Sequence, residues 1–172
     1  MRVPGAPSTR AFGYVFLMFF TGRHPISVED SGRCSLPASL RAPLRPVGAP
    51  DSGDLTLYVF PSLDRSCLEA AGEAYLAGRR AILSRMKPFD PRREALERLY
   101  FGEARAVSVD AKGRVSLPAE LREIAGINGE ALCVGMGDRF QIWAPGREAA
   151  RREAAIAAAG DLFDIDAVVD AP

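Results

Sequence analysis

One short charged segment of the chain has residues whose types and spacing could carry a function. Asp110 precedes Arg114 by four positions, Gly113 stands between them, and Lys112 is the residue next to that glycine. A carboxylate at this distance across a tight loop can steady the guanidinium while the lysine projects from the tip. An ordinary solvated turn would also carry such charges, so a single copy of the pattern does not decide between the two interpretations.

The same segment occurs twice, with an offset of 81 positions. Residues 26–41 read ISVEDSGRCSLPASLR and residues 107–122 read VSVDAKGRVSLPAELR. The alignment places Gly32 with Gly113 and Arg33 with Arg114, and it repeats the Leu-Pro-Ala triplet. A duplication is the simplest explanation, and it makes a function for the two loops more credible than a solvated turn.

Each copy indicates a strand, a tight loop, a second strand and a short helix. Apolar and polar residues alternate on both sides of the glycine, which is typical of a half-buried hairpin. Gly32 and Gly113 can adopt the positive φ that a tight turn commonly needs. Pro37 and Pro118 then stand near the first turn of a helix, where the missing N–H of proline costs little.

These residues resemble the MraZ family of bacterial transcriptional regulators, whose halves are similar to the AbrB-like DNA-binding proteins. The resemblance covers roughly residues 18–147 and includes both Gly-Arg loops, both Leu-Pro-Ala turns and the run VGMGDRFQIW at residues 134–143. It implies an α+β fold, a duplicated AbrB-like swapped-hairpin β-barrel with connecting and C-terminal helices. It also implies a ring-like homo-oligomer that binds double-stranded DNA at promoter repeats of cell-division and cell-wall genes.

The resemblance also assigns roles to the two loops. Arginine can donate two hydrogen bonds to guanine, so Arg33 and Arg114 are the candidates for reading bases. Phosphate contacts fall to Lys112 and, more weakly, Ser31. The loop-orienting residues are Glu29, Asp110, Gly32 and Gly113. Only the second loop matches the family's Asp-to-Arg motif in full, because the first has Glu29 at the aspartate position and Ser31 at the lysine position.

Composition is compatible with this assignment. The 172 residues are 48% hydrophobic and 26% charged with a formal net charge of zero, which suits one compact domain or two small fused halves. Residues 161–172 contain four aspartates and no basic residue, so the rest of the chain is mildly basic. We expect an N-terminal extension at 1–17, AbrB-like halves at 18–87 and 88–160, and an acidic flexible tail at 161–172. Residues 1–17 could represent a mis-assigned start.

The remaining helices and strands are predicted from the spacing of hydrophobic residues and from the positions of proline and of helix-capping residues. Residues 55–60 alternate and should form a core strand that Pro61 ends, and residues 62–85 have the spacing of an amphipathic helix. Asp90 and Pro91 form a cap and first-position pair that opens another helix. Residues 131–135 and 139–143 should form a hairpin, and residues 144–159 a helix.

The chain offers little for catalysis or metal binding. Its single histidine, His24, and its three separated cysteines, Cys34, Cys67 and Cys133, lack the spacing of a nucleophile and its base or of a zinc site. We therefore expect a protein that is not an enzyme, has no cofactor, does not enter the membrane and is cytoplasmic and nucleoid-associated. An alternative function is an antitoxin-like or assembly module that uses the same barrel mainly to bind protein.

Overall fold

An α+β arrangement of antiparallel strands and short helices makes up the part of the chain that the computed structural model describes, residues 19–45 and 53–160. The strands are β1 (Arg23–Ser27), β2 (Arg33–Ser35), β3 (Leu55–Pro61), β4 (Leu68–Ala71), β5 (Arg105–Val109), β6 (Arg114–Ser116), β7 (Glu130–Gly135) and β8 (Phe140–Trp143). The α-helices are α1 (Ala38–Arg41), α2 (Glu73–Leu83), α3 (Pro91–Glu97), α4 (Ala119–Ala125) and α5 (Pro145–Gly160). A 3-10 turn at Ala42–Leu44 follows α1, and a π turn at Arg98–Gly102 follows α3.

The strands of the two sequence copies pair with each other. A six-stranded sheet has the order β1-β7-β8-β4-β3-β5, and β2 pairs with β6 in a separate two-stranded ladder. The pairings β1–β7, β8–β4, β3–β5 and β2–β6 each join a strand before residue 88 to a strand after it. The six-stranded sheet is also symmetric between the copies. Exchanging β1 with β5, β3 with β7 and β4 with β8 gives the same strand order, read from the opposite edge.

One hydrophobic core lies behind these strands and takes residues from both copies. Leu57 and Val59 of β3, Leu68 of β4, and Phe140 and Ile142 of β8 are fully buried. Each such side chain contributes about 1.5 to 3 kcal/mol by leaving water. Leu40 of α1 and Leu121 of α4, which are 81 positions apart, pack into the same core. Each short helix therefore fixes the loop and strand that precede it.

The predicted hairpin within each copy forms only at its turn. Backbone hydrogen bonds close both turns, from Glu29 N to Arg33 O (2.9 Å) and from Asp110 N to Arg114 O (3.0 Å). Beyond the turns the flanking strands separate, because β1 pairs with β7, β5 pairs with β3, and β2 pairs with β6. Alternation along one strand shows which face is buried and carries no information about the partner strand.

The helix predicted over residues 62–85 is wrong in its first part. Residues 68–71 are β4, an interior strand between β3 and β8, and the helix α2 begins only at Glu73. Leu68 and Ala71 have helical spacing, but a short apolar run can occupy either kind of element, and pairing on both edges favours the strand here. Residues 62–67, which were also predicted to be helical, form a tight loop between β3 and β4. Ser62 N donates a hydrogen bond to Cys67 O across this loop at 2.9 Å.

Three other predictions are confirmed. The carboxylate of Asp90 accepts a hydrogen bond from Arg92 N (2.9 Å) and caps α3, whose first residue is Pro91. The β7–β8 hairpin turns at Gly137, where Met136 N donates to Arg139 O (2.8 Å). Helix α5 begins at Pro145 as predicted. The predicted N-terminal extension and acidic tail lie outside the described residues.

Candidate functional site

The β2–β6 ladder brings the two Gly-Arg segments side by side. Its register pairs Arg33 with Ser116, Cys34 with Val115, and Ser35 with Arg114. Cys34 and Val115 face the core, so Arg33, Ser35, Arg114 and Ser116 occupy the exposed face. The two arginines are diagonal neighbours on adjacent strands, a relation that separates α-carbons by about 7 to 8 Å. Both also line one open surface depression.

The second loop is an ordered charged turn centred on Asp110. Atom Oδ1 of Asp110 accepts hydrogen bonds from Lys112 N and Arg114 N, both at 2.9 Å. Atom Oδ2 accepts from Arg114 Nε at 2.7 Å. The hydrogen bonds from Arg114 are the largest cause of a pKa for Asp110 below its usual value, so the carboxylate stays ionised. Asp110 therefore binds both the backbone N–H and the guanidinium of Arg114, and Lys112 stands exposed at the tip.

The first loop has the same backbone and different side-chain contacts. Ser31 Oγ lies 3.3 Å from Glu29 Oε2, and Arg33 N lies 3.4 Å from Ser31 Oγ. Both contacts are longer than those in the second loop. Among the described residues, the guanidinium of Arg33 has no ion-pair partner, whereas that of Arg114 has Asp110. The departures at Glu29 and Ser31 therefore leave the first arginine less constrained.

The glycine of each loop lies against the backbone of the other copy. Gly32 and Gly113 have φ of +85° and +86°. A Cβ at Gly32 would lie 2.3 Å from Leu117 O, and one at Gly113 would lie 2.8 Å from Leu36 O. Reciprocal hydrogen bonds run from Leu36 N to Gly113 O (2.8 Å) and from Leu117 N to Gly32 O (2.9 Å). Glycine is therefore required both for the turn and for the close approach of the two copies.

Sequence reasoning missed several residues of this surface. Ser35 and Ser116 share the exposed face with the arginines, and their alternation with Cys34 and Val115 was a usable signal. Arg41 and Arg122 reach across to the loops, as described below. Their reach depends on the β2–β6 pairing, which no local pattern reveals.

Elsewhere the described residues hold little that resembles a catalytic or metal centre. No group of three or more histidine, cysteine or acidic residues that could hold a metal occurs in this part of the chain. Cys34, Cys67 and Cys133 are buried free thiols, and burial raises the pKa of Cys34 and Cys67 to about 11 and of Cys133 to about 12. His24 is a residue of β1 whose Nε2 lies 2.9 Å from Thr21 O. No helix in the described ranges is long and apolar enough to cross a membrane.

Known proteins resemble this chain over most of its length. A family model described as "MraZ protein, putative antitoxin-like" matches residues 100–147, which include the second loop. A "Transcriptional regulator MraZ" from Parvibaculum lavamentivorans is 39% identical over 132 residues, covering 76% of this chain and 79% of the relative. The chain belongs to the MraZ family. The predicted family assignment is therefore confirmed.

Other MraZ proteins match over a similar span. The "Transcriptional regulator MraZ" of Methylocella silvestris is 36% identical over 136 residues, covering 79% of this chain and 80% of the relative. That of Rickettsia bellii is 36% identical over 131 residues, covering 76% and 82%. The likeness thus extends over about three quarters of this chain, well beyond the residues that the family model matches.

Proposed function

We propose that this MraZ family member is a sequence-specific DNA-binding transcriptional regulator that controls cell-division and cell-wall genes. The observation that carries the proposal is the pair of arginines, Arg33 and Arg114, on one exposed face of the β2–β6 ladder. Specific DNA binding needs donors that reach base edges and cations that neutralise phosphates. The relatives named as transcriptional regulators support the same function.

Each loop residue has a role in this proposal. Arg114 and Arg33 read bases through bidentate hydrogen bonds to guanine. Lys112 binds phosphate from the loop tip, with a weaker neutral contact from Ser31. Asp110 orients Arg114, and Glu29 occupies the equivalent position beside Arg33. Gly32 and Gly113 give the loops their shape.

We further propose that the crossed strand pairing is a duplicated AbrB-like swapped-hairpin barrel with halves at 18–87 and 88–160. Residues 1–17 would be an extension that the barrel does not need, and residues 161–172 an acidic tail. The symmetric strand order and the reciprocal hydrogen bonds from leucine N–H to glycine carbonyl support this division.

Ring assembly is also part of the proposal. Several large apolar side chains are exposed in this single chain, among them Leu63 (71% exposed), Ile82 (53%) and Ile156 (60%). A second copy would cover such surface, and several copies would present several loop pairs to repeated DNA sites. Light scattering on the full chain should report an oligomer at micromolar concentration, and a monomer would contradict this part.

The decisive experiment compares three variants on two DNA duplexes at several salt concentrations. One is the site that the unaltered protein selects from a random duplex library, called the operator below, and the other is a scrambled duplex of the same composition. Arg114→Ala should weaken operator binding by about 1 to 3 kcal/mol per engaged subunit, because a bidentate base contact is lost. Lys112→Ala should weaken binding to both DNAs alike and lower the salt slope by about one unit per phosphate contact. Arg33→Ala should act in the same direction as Arg114→Ala, with a smaller effect.

The matched control is Arg85→Ala, which removes one exposed arginine from the segment after α2. It should leave the preference for operator over scrambled DNA unchanged. Circular dichroism and light scattering would first establish that each variant keeps the fold and assembly of the unaltered chain. If Arg114→Ala binds operator as tightly as the unaltered protein, the loop does not read DNA.

A protein-binding module is the second candidate, and the antitoxin-like description of the family favours it. In that case the barrel would present its exposed apolar residues to a partner protein. Salt-dependent retention of the purified protein on DNA would support the first candidate, and its absence would support this one.

A further inference from the structure

Arg41, the last residue of α1, reaches the loop of the other sequence copy. Its Nη1 donates a hydrogen bond to Ala111 O at 3.2 Å, in the middle of the second loop. The side chain also passes close to Gly113, where a Cβ would lie 2.8 Å from Arg41 Nε. That Nε is buried and has no hydrogen-bond partner among the described residues. The guanidinium is therefore held against loop backbone, with part of its donor capacity unused.

Arg122 of α4 makes the reciprocal contact. Its Nη2 donates to Asp30 O at 3.0 Å in the first loop, and its Nε donates to Leu117 O at 3.3 Å. A Cβ at Gly32 would lie 3.1 Å from Arg122 Nε, so the side chain passes the glycine of that loop as well. Arg41 and Arg122 occupy equivalent positions, 81 residues apart.

A basic residue at the end of a helix commonly binds the last carbonyls of its own helix. These two arginines also bind carbonyls of the opposite copy. Arg41 of the first copy binds Ala111 O in the second loop, and Arg122 of the second copy binds Asp30 O in the first loop. A buried or half-buried guanidinium bound to a carbonyl restricts the position of that carbonyl, because the planar fork offers few alternative geometries.

We propose that Arg41 and Arg122 are crossed positioning residues for the DNA-reading loops. Arg41 of the first copy holds the second loop, and Arg122 of the second copy holds the first loop. DNA recognition by each Gly-Arg loop then depends on the helix of the other copy. This inference rests on the proposed function for its DNA consequence, while its structural part can be tested without DNA.

Hydrogen exchange of the free full-length protein tests the structural part. Arg41→Gln should speed exchange at the amides of Lys112, Gly113 and Arg114, which are bonded within the second loop, and leave residues 29–33 unchanged. Arg122→Gln should do the reverse. Arg85→Gln removes the same charge without contacting either loop and should change neither segment. Rapid-pulse labelling with mass spectrometry resolves the two loops as separate peptides.

A double-mutant cycle on operator DNA tests the functional part. Arg41→Gln should weaken operator binding by about two- to tenfold, the range expected for one net hydrogen bond of about 0.5 to 1.5 kcal/mol. In an Arg114→Ala background the same change should have little further effect, because the loop that it positions no longer reads a base. In an Arg33→Ala background it should keep its full effect. Arg122→Gln should give the mirror result.

The conservative variants Arg41→Lys and Arg122→Lys separate positioning from charge. Lysine keeps the charge and can donate to one carbonyl but lacks the fork, so affinity for scrambled DNA should be retained while operator preference recovers only in part. Equal acceleration of exchange in both loops by Arg41→Gln would overturn the crossed arrangement. A different outcome is that each variant speeds exchange only in its own loop while no variant, including Arg114→Ala, changes operator binding. That result would support the positioning of the loops by Arg41 and Arg122 and would reject the proposed function instead.

Discussion

At the scale of single residues, the proposed DNA-reading role of Arg114 gives Asp110 two opposing effects on DNA binding that one substitution can separate. The carboxylate of Asp110 orders Arg114, and in the proposed complex it would also place a negative charge near DNA. Asp110→Asn should therefore reduce the preference for operator over scrambled DNA while raising affinity for scrambled DNA, since one repulsive charge is lost. Titration of both DNAs at fixed salt would measure the two changes.

Asp54→Asn is the matched control for that substitution. Asp54 is exposed and precedes Leu55, which pairs with Val109. The substitution therefore removes a charge near the second loop without touching Arg114. Asp54→Asn should raise the affinities for operator and for scrambled DNA together. A loss of operator preference in Asp54→Asn equal to that in Asp110→Asn would contradict the orienting role.

The pKa of Asp110 is lowered in the folded state. The contribution of Asp110 to the free energy of unfolding is therefore present above about pH 4 and is lost as the pH falls further.

At the scale of elements, the close approach of each loop to the opposite strand should be measurable as stability. Gly113→Ala places a side chain at positive φ, which costs about 1 to 2 kcal/mol, and also crowds Leu36 O at 2.8 Å. Gly137 has a similar φ of +83° but no neighbour within 4 Å of an added Cβ. Gly137→Ala should therefore show only the backbone cost, and Gly113→Ala about 1 to 3 kcal/mol more from overpacking.

Chemical denaturation of both glycine variants gives the comparison directly. The difference between them measures the crowding of the second loop against Leu36 O and the side chain of Arg41. Equal losses of unfolding free energy would mean that both neighbours move away from the loop without cost. That outcome would leave the positive φ as the structural reason for glycine at the two equivalent positions.

At the scale of the whole molecule, the crossed strand pairing predicts that the two proposed halves, residues 18–87 and 88–160, unfold together. Cys34 of β2 and Cys133 of β7 come from different halves and lie in one core. Burial raises the pKa of these thiols to about 11 and about 12, so at pH 8 both are protonated and shielded. Labelling under native conditions, with the thiol reagent concentrated enough to react faster than the chain refolds, should modify both at one rate, equal to the rate of global unfolding measured by circular dichroism.

Labelling in denaturant supplies the control, because it gives the intrinsic reactivity of each thiol. Peptide mass spectrometry distinguishes the two sites. A much faster reaction of Cys34 than of Cys133 under native conditions would show that the first half opens independently. The halves would then be separate folding units despite their shared strands.

The amino-acid sequence by itself determined the local features of this protein. Two copies of one pattern, with a glycine in each turn and Leu-Pro-Ala at each helix start, predicted both loops and both short helices. Asp90 with Pro91 predicted the start of α3, and Asp110 with Arg114 predicted the ordered second loop. These features depend on φ preferences and on hydrogen bonds between residues two to four positions apart, so the information lies within a short stretch of chain.

Only the tertiary structure decided which strands pair and which side chains meet. Alternation identified the buried faces of β1 and β2 but not their partners in β7 and β6, because any strand of suitable length satisfies the same period. For the same reason, residues 68–71 have helical spacing yet form β4, where ladders on both edges satisfy their backbone. The exposed pair Arg33 and Arg114, and the reach of Arg41 to Ala111 O, exist because contacts between residues about 70 to 80 positions apart are set by the packing of one shared core.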